Sequence, residues 1–157
     1  MKISLARIDD RLIHGLVARI WSEYTKCQRI IVCNDDVAKD LIRKTLLEQV
    51  SPPGIKSSVV GIDEAIRAYN SPKYQDDRVL FLFNNPTDVV RMVEGGVAIK
   101  SVNIGGMSFK EGKEQITSTV SVNDTDIKAF RKLNEKHIEL EIRRISSDSK
   151  VDLMSKL

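Results

Sequence analysis

The chain has 157 residues, a length typical of one domain with its own hydrophobic core. Aromatic residues make up only 5% of it, the net charge is +3, and the basic residues are spread along the chain, which argues against a nucleic-acid-binding surface. No apolar run reaches the ~18 residues of a membrane span and no signal peptide is recognised, so a cytoplasmic protein is expected.

Strand-like and helix-like segments alternate along the chain. Asn34, Asn85 and Asn123 stand where helix caps belong, and turn residues at 51–54 and 95–96 end two helices. The predicted strands are Lys2–Ala6, Arg29–Cys33, Ile55–Val60, Arg78–Phe83, Ala98–Ile104, the short Ile116–Val120 and an edge strand, Ile138–Ile145. The predicted helices are His14–Thr25, Asp35 to about Val50, Asp63–Tyr69, Pro86 to about Glu94, and Asp124 to Lys136, followed by a tail or short helix at Ser146–Leu157.

This alternation predicts a single α/β domain over residues 1–157. We expect a mostly parallel, twisted sheet of about six to seven strands, with helices on both faces and an antiparallel edge strand. Ligands gather at the carboxyl ends of the strands in such folds. The loops Arg7–Ile13, Asn84–Thr87 and Gly105–Ser108 are therefore expected to meet there.

Several common chemistries find no support. Cys27 and Cys33 are too far apart for a CxxC pair, and no second histidine or cysteine lies at zinc-ligand spacing from His14. The phosphate-binding loops Walker A and G-x-G-x-x-G and the serine elbow G-x-S-x-G are absent. We expect no metal and no cofactor.

The loop between the first strand and the first helix carries the strongest functional signal. It holds two arginines, and His14 stands where the helix begins. Unpaired backbone N–H groups and the positive end of the helix dipole favour an anion at such a place. A nearby guanidinium and the helix N-terminus also disfavour a charged ring and keep the imidazole nucleophilic. We therefore predict that His14 carries a phosphoryl group.

The neighbours of His14 have roles that follow from their chemistry. Arg11 is predicted to contact the phosphoryl group through its planar fork, with Arg7 standing behind it or facing a partner. Asp9 or Asp10 is expected to hold the loop through an arginine or to accept the ring N–H, although Asp10 reads equally well as a solvated side chain. Further candidates are Gly15, Asn84, Gly105 and Gly106, of which Asn84 is most simply a capping residue and the glycine pair a turn.

The run Arg-Ile-Asp-Asp-Arg-Leu-Ile-His-Gly at 7–15 closely resembles the active-site loop of enzyme IIB components of the mannose/fructose/sorbose family of the phosphoenolpyruvate-dependent sugar phosphotransferase system. The resemblance covers nearly the whole chain. It continues through Ile-Ile-Val-Cys-Asn-Asp-Asp-Val-Ala at 30–38, Pro-Pro-Gly at 52–54, Asn-Pro-Thr-Asp-Val-Val-Arg at 85–91, Val-Glu-Gly-Gly at 93–96 and Asn-Ile-Gly-Gly-Met at 103–107.

The resemblance implies a cytoplasmic phosphocarrier with a doubly wound fold, held at the inner face of the membrane through its partners. It implies that His14 accepts a phosphoryl group at Nδ1 from a phosphohistidine of a IIA protein. The group would then pass to a sugar bound by membrane IIC and IID subunits, without metal or nucleotide. It assigns Arg11 to the phosphoryl group and Asp9 to the support of the loop. The sugar stays unidentified, and a homodimer through a short edge strand stays open.

One position departs from the family's pattern. The family usually continues His-Gly with Gln-Val, whereas this chain has Leu16 at the place of the glutamine. A leucine cannot donate a hydrogen bond, so a polar contact from this position is absent. The nucleophile and Arg11 are unaffected.

Two other readings stay open at this point. A receiver-like signalling domain, phosphorylated on aspartate, would explain the pair Asp9-Asp10 after the first strand, with Asp63 and Lys110 following the third and fifth strands. It leaves His14 without a role. A non-catalytic module that binds phosphate or a sugar phosphate is the third reading.

Overall fold

Nine strands are present in the computed structural model, which describes residues 1–157. They are β1 Lys2–Asp9, β2 Arg29–Cys33, β3 Lys56–Val60, β4 Arg78–Phe83, β5 Ser101–Gly106, β6 Glu114–Gln115, β7 Ser121–Val122, β8 Glu139–Ile142 and β9 Val151–Asp152. Seven of them form one sheet in the order β3-β2-β4-β1-β5-β8-β9. The first six of these are parallel and β9 runs antiparallel to β8. The predicted fold class is confirmed.

Six α-helices connect the strands. They are α1 Ser22–Thr25, α2 Asp35–Lys39, α3 Leu41–Gln49, α4 Ile62–Asn70, α5 Pro86–Glu94 and α6 Asp124–Glu135. A π-helical segment, Val17–Trp21, leads into α1, and short 3₁₀ helices cover Pro72–Tyr74 and Leu153–Lys156. None of the helices combines the length and the apolar character that crossing a bilayer requires.

The two faces of the sheet are buried under different helices, and β4 shows this most clearly. Leu80 and Leu82 pack on the side of the π-helical segment and α2, whereas Val79, Phe81 and Phe83 pack on the side of α4, α5 and α6. All five side chains are fully buried, each contributing roughly 1.5–3 kcal/mol by removal from water. A run of apolar residues that faces helices on both sides is the reason that β4 lies inside the sheet.

The prediction of one helix from Asp35 to Val50 is wrong in one respect, because this segment forms two helices, α2 and α3. The chain is extended at Asp40, with φ −86° and ψ 93°. The Asp40 carboxylate accepts a hydrogen bond of 3.2 Å from the backbone N–H of Arg43 and so caps α3. Aspartate favours a cap over a helix interior for this reason.

The predictions for the C-terminal third need two corrections. Ile116–Val120 is not a strand but lies between β6 and β7, and only Val120 forms a bridge, to Met107. The segment predicted as the edge strand is interior, since β8 is flanked by β5 and β9. The antiparallel edge, β9, lies in the predicted tail and is followed by the short helix Leu153–Lys156.

The connections leave one crevice at the carboxyl edge of the sheet. The chain leaves β1 toward β2 on one side and leaves β5 toward β8 on the other. Since β1 and β5 are neighbours, the connections that leave their carboxyl ends run in opposite directions, and doubly wound folds bind ligands at such a point. Asp9 and Gly106 are paired at this end.

Candidate functional site

The first strand is longer than predicted. It runs to Asp9, so Arg7 and Asp9 belong to β1 and not to the loop. Residues two apart in a strand point to the same face, and Nη2 of Arg7 accordingly lies 3.1 Å from Oδ2 of Asp9. Both side chains are completely buried. The strand therefore presents an internal ion pair at its carboxyl end.

A tight turn returns the chain over this ion pair. The backbone N–H of Leu12 donates to the carbonyl of Asp9 over 2.8 Å, and Leu12 adopts a left-handed conformation with φ 60°. This conformation costs a non-glycine residue free energy, and it persists because the Leu12 side chain is buried with Val17 and Trp21. The turn brings Arg11 and His14 back to Asp9.

Asp9 is the acceptor that the charged side chains of this site share. Its carboxylate lies 3.0 Å from Nε2 of His14, and it accepts hydrogen bonds from Nε of Arg11 over 3.2 Å and from the Arg11 backbone over 3.1 Å. Burial raises the pKa of Asp9, but the hydrogen bonds from His14 and Arg11 and the charge of Arg7 outweigh it and lower the pKa to about 2. Asp9 therefore makes both of the contacts that were expected of Asp9 or Asp10, one with an arginine of the loop and one with the ring of His14.

The contact with Asp9 leaves the other ring nitrogen of His14 free. The side chain of His14 is 19% exposed, and Nδ1 makes no hydrogen bond. Nδ1 is not buried either, since the one buried side-chain nitrogen or oxygen without a partner is Nε of Arg7. Helical structure begins directly after His14, as predicted, and the Ala18 N–H donates to the His14 carbonyl over 2.8 Å. Half of the Arg11 side chain is exposed beside the ring.

Asp10 joins the His14 loop to the segment that follows β5. Its carboxylate accepts a hydrogen bond of 2.6 Å from the backbone N–H of Ser108 and one of 3.1 Å from the Ser108 hydroxyl. Its own backbone N–H donates to the carbonyl of Gly106 over 3.1 Å. The reading of Asp10 as a free, solvated side chain is therefore wrong. Two of the three loops expected to meet do so.

Gly105 and Gly106 are the last residues of β5 and not a turn, contrary to expectation. A Cβ on Gly105 would collide with the guanidinium of Arg7. A Cβ on Gly106 would stand 3.4 Å from Oδ1 of Asp9, in ordinary van der Waals contact. Gly105 thus makes room for the buried ion pair.

Arg7 lies behind Asp9 and does not face a partner, because its side chain has no exposed surface. Nη1 donates to the side chain of Asn103 and, over 3.0 Å, to the carbonyl of Arg143, while Nη2 donates to the carbonyl of Arg144 over 3.1 Å. Burial lowers the pKa of Arg7, and the charge of Asp9 counteracts this. Arg7 therefore supports the loop from the interior.

Asn84 is separate from this cluster. Its carbonyl oxygen accepts hydrogen bonds from the amides of Asn34 over 3.0 Å and Asn85 over 2.6 Å, and it makes no hydrogen bond to the His14 loop. Gly15 is exposed, and a Cβ there would meet nothing within 4 Å. Leu16, which replaces the usual glutamine, is half-buried with helical backbone angles.

Four residues of the site's surroundings escaped the sequence analysis. Asn103 anchors Arg7, and Trp21 lies between the guanidiniums of Arg7 and Arg143, at 4.9 Å and 5.1 Å from its ring centroid. Nε1 of Trp21 donates to the carbonyl of Arg144 over 3.0 Å. Arg143 and Arg144 follow β8 at the carboxyl edge of the sheet, and that position is the signal that could have found them.

The receiver-like reading does not fit this topology. β3 is an edge strand, separated from β1 by β2 and β4, so Asp63 after β3 cannot join Asp9 and Asp10 in one acidic pocket. Asp63 is exposed in the first turn of α4. No group of three or more histidine, cysteine or carboxylate side chains is placed to hold a metal ion.

Comparison with known proteins points to one family. Residues 3–157 match the family model of the PTS system sorbose subfamily IIB component. The chain is 58% identical over 160 residues to the mannose-specific EIIAB component of Escherichia coli K12, and it spans only 50% of that protein's length. It is 50% identical to the sorbose-specific EIIB component of Klebsiella pneumoniae, covering all of this chain and 96% of the relative.

Solved structures agree with the sequence comparisons. The crystal structure of the IIBSor domain of the sorbose permease from Klebsiella pneumoniae superimposes with a TM-score of 0.97, covering 99% of this chain and 96% of that one. The crystal structure of an N-acetylgalactosamine-specific IIB component 1 from Escherichia coli gives a TM-score of 0.88 at 31% identity, covering 97% of this chain and 99% of that one. The chain therefore belongs to the sorbose subfamily of IIB components of the sugar phosphotransferase system.

Proposed function

We propose that this protein is a phosphocarrier that accepts a phosphoryl group on Nδ1 of His14 and passes it to a sugar during uptake. The observation that carries the proposal is the 3.0 Å contact between Nε2 of His14 and the buried carboxylate of Asp9. This contact holds the proton on Nε2, because an ionised carboxylate can only accept a hydrogen bond, and it leaves the lone pair of Nδ1 unpaired at a position that is not fully buried. One ring nitrogen is thus bound and the other is available as a nucleophile.

Asp9 also suits the charge that develops during transfer. When the lone pair of Nδ1 forms a bond to phosphorus, the ring keeps its proton on Nε2 and gains positive charge. The bond between phosphorus and the donor nitrogen breaks at the same time, and the donor keeps that electron pair. A carboxylate with a pKa of about 2 stays ionised at neutral pH and stabilises the charged ring.

Arg11 is the group best placed to receive the phosphoryl oxygens. Half of its side chain is exposed, and its Nε and Nη2 atoms lie 3.2 Å and 3.3 Å from the Asp9 carboxylate, so the guanidinium is held beside the ring. Three equatorial oxygens carry the charge of a transferring phosphoryl group, and a planar guanidinium can bind two of them at once. We assign Arg11 to this contact.

The partners follow from the family. The donor is a phosphohistidine of a IIA protein. This agrees with the mannose-specific EIIAB relative, in which the part that matches this chain makes up 50% of the length. The acceptor is a sugar held by membrane IIC and IID subunits. The protein works in the cytoplasm and associates with the inner face of the membrane through these subunits, and no metal or nucleotide takes part.

The test is the transfer of phosphate from a phosphorylated IIA protein, followed by intact-protein mass spectrometry. We expect the mass of one phosphate to be added to the wild-type protein and none to His14→Ala. The matched control is His137→Asn, since His137 is exposed and has a φ of 61° that asparagine tolerates. This control is expected to be labelled like the wild type.

The stability of the label identifies the bond. A phosphohistidine survives alkali and is lost in acid, whereas an aspartyl phosphate is labile in base as well. Labelling of His14→Ala, or a base-labile label, would refute the proposal. Binding of phosphate without a covalent mass increase would favour the non-catalytic module.

A further inference from the structure

A polar cavity of about 490 Å³ opens beside the His14 loop, between the carboxyl ends of β1 and β5. Arg11 and Arg144 both line it, together with Ser118 and Thr119, and the cavity is joined to His14 through Arg11 of the same loop, because His14 itself is not in the lining. Asp10 is the one carboxylate in its lining, and both of its oxygens are hydrogen-bonded to Ser108. The cavity therefore has two guanidiniums against one carboxylate whose oxygens are already hydrogen-bonded, and this excess of positive charge suits an anion.

The guanidinium of Arg144 has no partner within the chain. Its neighbour Arg143 is committed to Glu141, with contacts of 2.8 Å and 2.9 Å. The Arg144 side chain makes no hydrogen bond and no ion pair, and the residue is exposed. Arg11, by comparison, shares its guanidinium with Asp9. Arg144 is thus the cation of this cavity with all five N–H donors unused.

The backbone of Arg144 is nevertheless held firmly. Its carbonyl accepts one hydrogen bond from Nη2 of Arg7 and a second, of 3.0 Å, from Nε1 of Trp21. Both donor side chains are fully buried, and Trp21 is packed between the guanidiniums of Arg7 and Arg143. The base of this side chain is therefore fixed, while its guanidinium is free for a ligand and becomes ordered only on binding.

The same buried guanidinium links Arg144 to the nucleophile. Nη2 of Arg7 contacts the Arg144 carbonyl and Oδ2 of Asp9, each over 3.1 Å, and Oδ2 of Asp9 contacts Nε2 of His14 over 3.0 Å. Three successive contacts therefore separate the backbone of Arg144 from the imidazole ring. The backbone of Arg144 is therefore anchored to the same buried ion pair that holds the imidazole.

We propose, on the basis of the phosphocarrier function above, that Arg144 is a second guanidinium that binds the phosphoryl group carried by His14. Arg11 and Arg144 would then both bind oxygens of the phosphoryl group. Arg7 is the positioning residue. It holds His14 through Asp9, and it holds the backbone of Arg144 through the Arg144 carbonyl.

The experiment uses a donor that has no protein surface, so that docking of a partner does not enter the rate. Phosphoramidate can transfer its phosphoryl group to a histidine nitrogen. Its nitrogen–phosphorus bond breaks, a bond from phosphorus to Nδ1 forms, and ammonia leaves with the electron pair and the three protons of the H₃N⁺ group. Mass spectrometry follows the gain of one phosphate over time for the wild type, Arg144→Ala and Arg144→Lys.

We expect Arg144→Ala to slow the reaction at least about tenfold, less than the roughly 10²–10³-fold loss of a rigidly held transition-state donor, because the Arg144 side chain must be ordered on binding. The rate of Arg144→Lys should lie between the rates of the wild type and Arg144→Ala, because lysine keeps the positive charge but lacks the planar guanidinium that binds two oxygens at once. The matched control is Arg131→Ala on α6, since Arg131 is exposed, makes no hydrogen bond and lines no part of this cavity. It should react like the wild type.

An unchanged rate of Arg144→Ala with phosphoramidate would overturn the role of Arg144. If a defect then appeared with phosphorylated IIA alone, Arg144 would belong to partner docking instead. Failure of the phosphocarrier function looks different, because the wild type itself would then gain no phosphate on His14 from phosphorylated IIA. Thermal unfolding of Arg144→Ala should match that of the wild type, since the exposed Arg144 side chain makes no hydrogen bond and no ion pair that the variant would lose.

Discussion

The guanidinium of Arg7 occupies the space that a side chain on Gly105 would need. Residue 105 lies in β5 and residue 7 in β1, and these strands are adjacent and parallel. The missing side chain allows a fully buried arginine to reach Asp9, Asn103 and the segment after β8. The glycine is therefore required by packing against one charged group and not by its own backbone angles.

Gly105→Ala should consequently destabilise the protein. Because the nearest atoms belong to a guanidinium held by several hydrogen bonds, we expect a loss of about 1–3 kcal/mol in the free energy of unfolding. Urea denaturation followed by circular dichroism measures it. Gly15→Ala is the matched control, since its new Cβ meets no atom within 4 Å, and its stability should stay within about 0.5 kcal/mol of the wild type. Equal stability of both variants would contradict the packing argument.

Asp9 should give the protein an acid-sensitive contribution to stability. The pKa of Asp9 falls from an ordinary 3.8 to about 2 on folding. A lowered pKa stabilises the folded state above the unfolded value, so this contribution is complete above about pH 4 and is lost as the pH falls toward 2. Its size is on the order of 2 kcal/mol.

Asp9→Asn tests this contribution. The variant leaves the buried charge of Arg7 without its counter-ion and should lose about 3 kcal/mol or more at neutral pH. The difference in unfolding free energy between wild type and variant, measured in urea, should narrow as the pH falls from 5 toward 2. A difference that stays constant over this range would show that the Asp9 carboxylate does not titrate as described.

Arg11→Ala should impair phosphoryl transfer and leave the fold intact. Its side chain is half exposed, and Asp9 keeps its contacts with Arg7 and His14 when Arg11 is removed, so we expect a loss in stability of no more than about 1–2 kcal/mol. Removing one donor to the developing phosphoryl charge should slow labelling by phosphorylated IIA about a hundredfold. Arg67→Ala, an exposed arginine on α4, serves as the control. An unchanged rate in Arg11→Ala would remove Arg11 from the mechanism.

Asn84→Ala, in contrast to Arg11→Ala, should lower the stability of the fold and leave phosphoryl transfer unchanged. The Asn84 oxygen accepts hydrogen bonds from the amides of Asn34 and Asn85, and its loss removes both of these bonds and leaves the two amides only the carboxylate of Asp88 as an acceptor. We expect a loss of about 1–2 kcal/mol in the free energy of unfolding, measured in urea, and a rate of labelling equal to that of the wild type. A normal stability with slow labelling would return Asn84 to the phosphoryl site.

Interactions between residues near in sequence were predictable from the chain alone. Asn34, Asn85 and Asn123 cap helices as expected, with hydrogen bonds to Val37, Asp88 and Asp126. The place of His14 at the start of helical structure is equally local. Caps and hydrophobic periodicity depend on a few neighbouring residues, and for this reason composition and order suffice for them.

Choices between chemically similar candidates required the tertiary structure. Asp9 and Asp10 are adjacent carboxylates, and only the pleat of β1 decides that Asp9 points inward to His14 while Asp10 points to Ser108. The end of β1 was itself unpredictable, because a strand containing a buried arginine and aspartate is stable only when distant groups satisfy both charges.

The sequence by itself determined the α/β alternation, the caps and the position of His14 among its charged neighbours, because these depend on local propensities and short spacings. The tertiary structure alone decided that Arg143 and Arg144 meet Arg7, that β9 forms the edge of the sheet, and that Asn84 turns away from His14. These contacts join residues far apart in the chain, and they form only when burial of the whole sheet offsets the entropy of bringing such segments together.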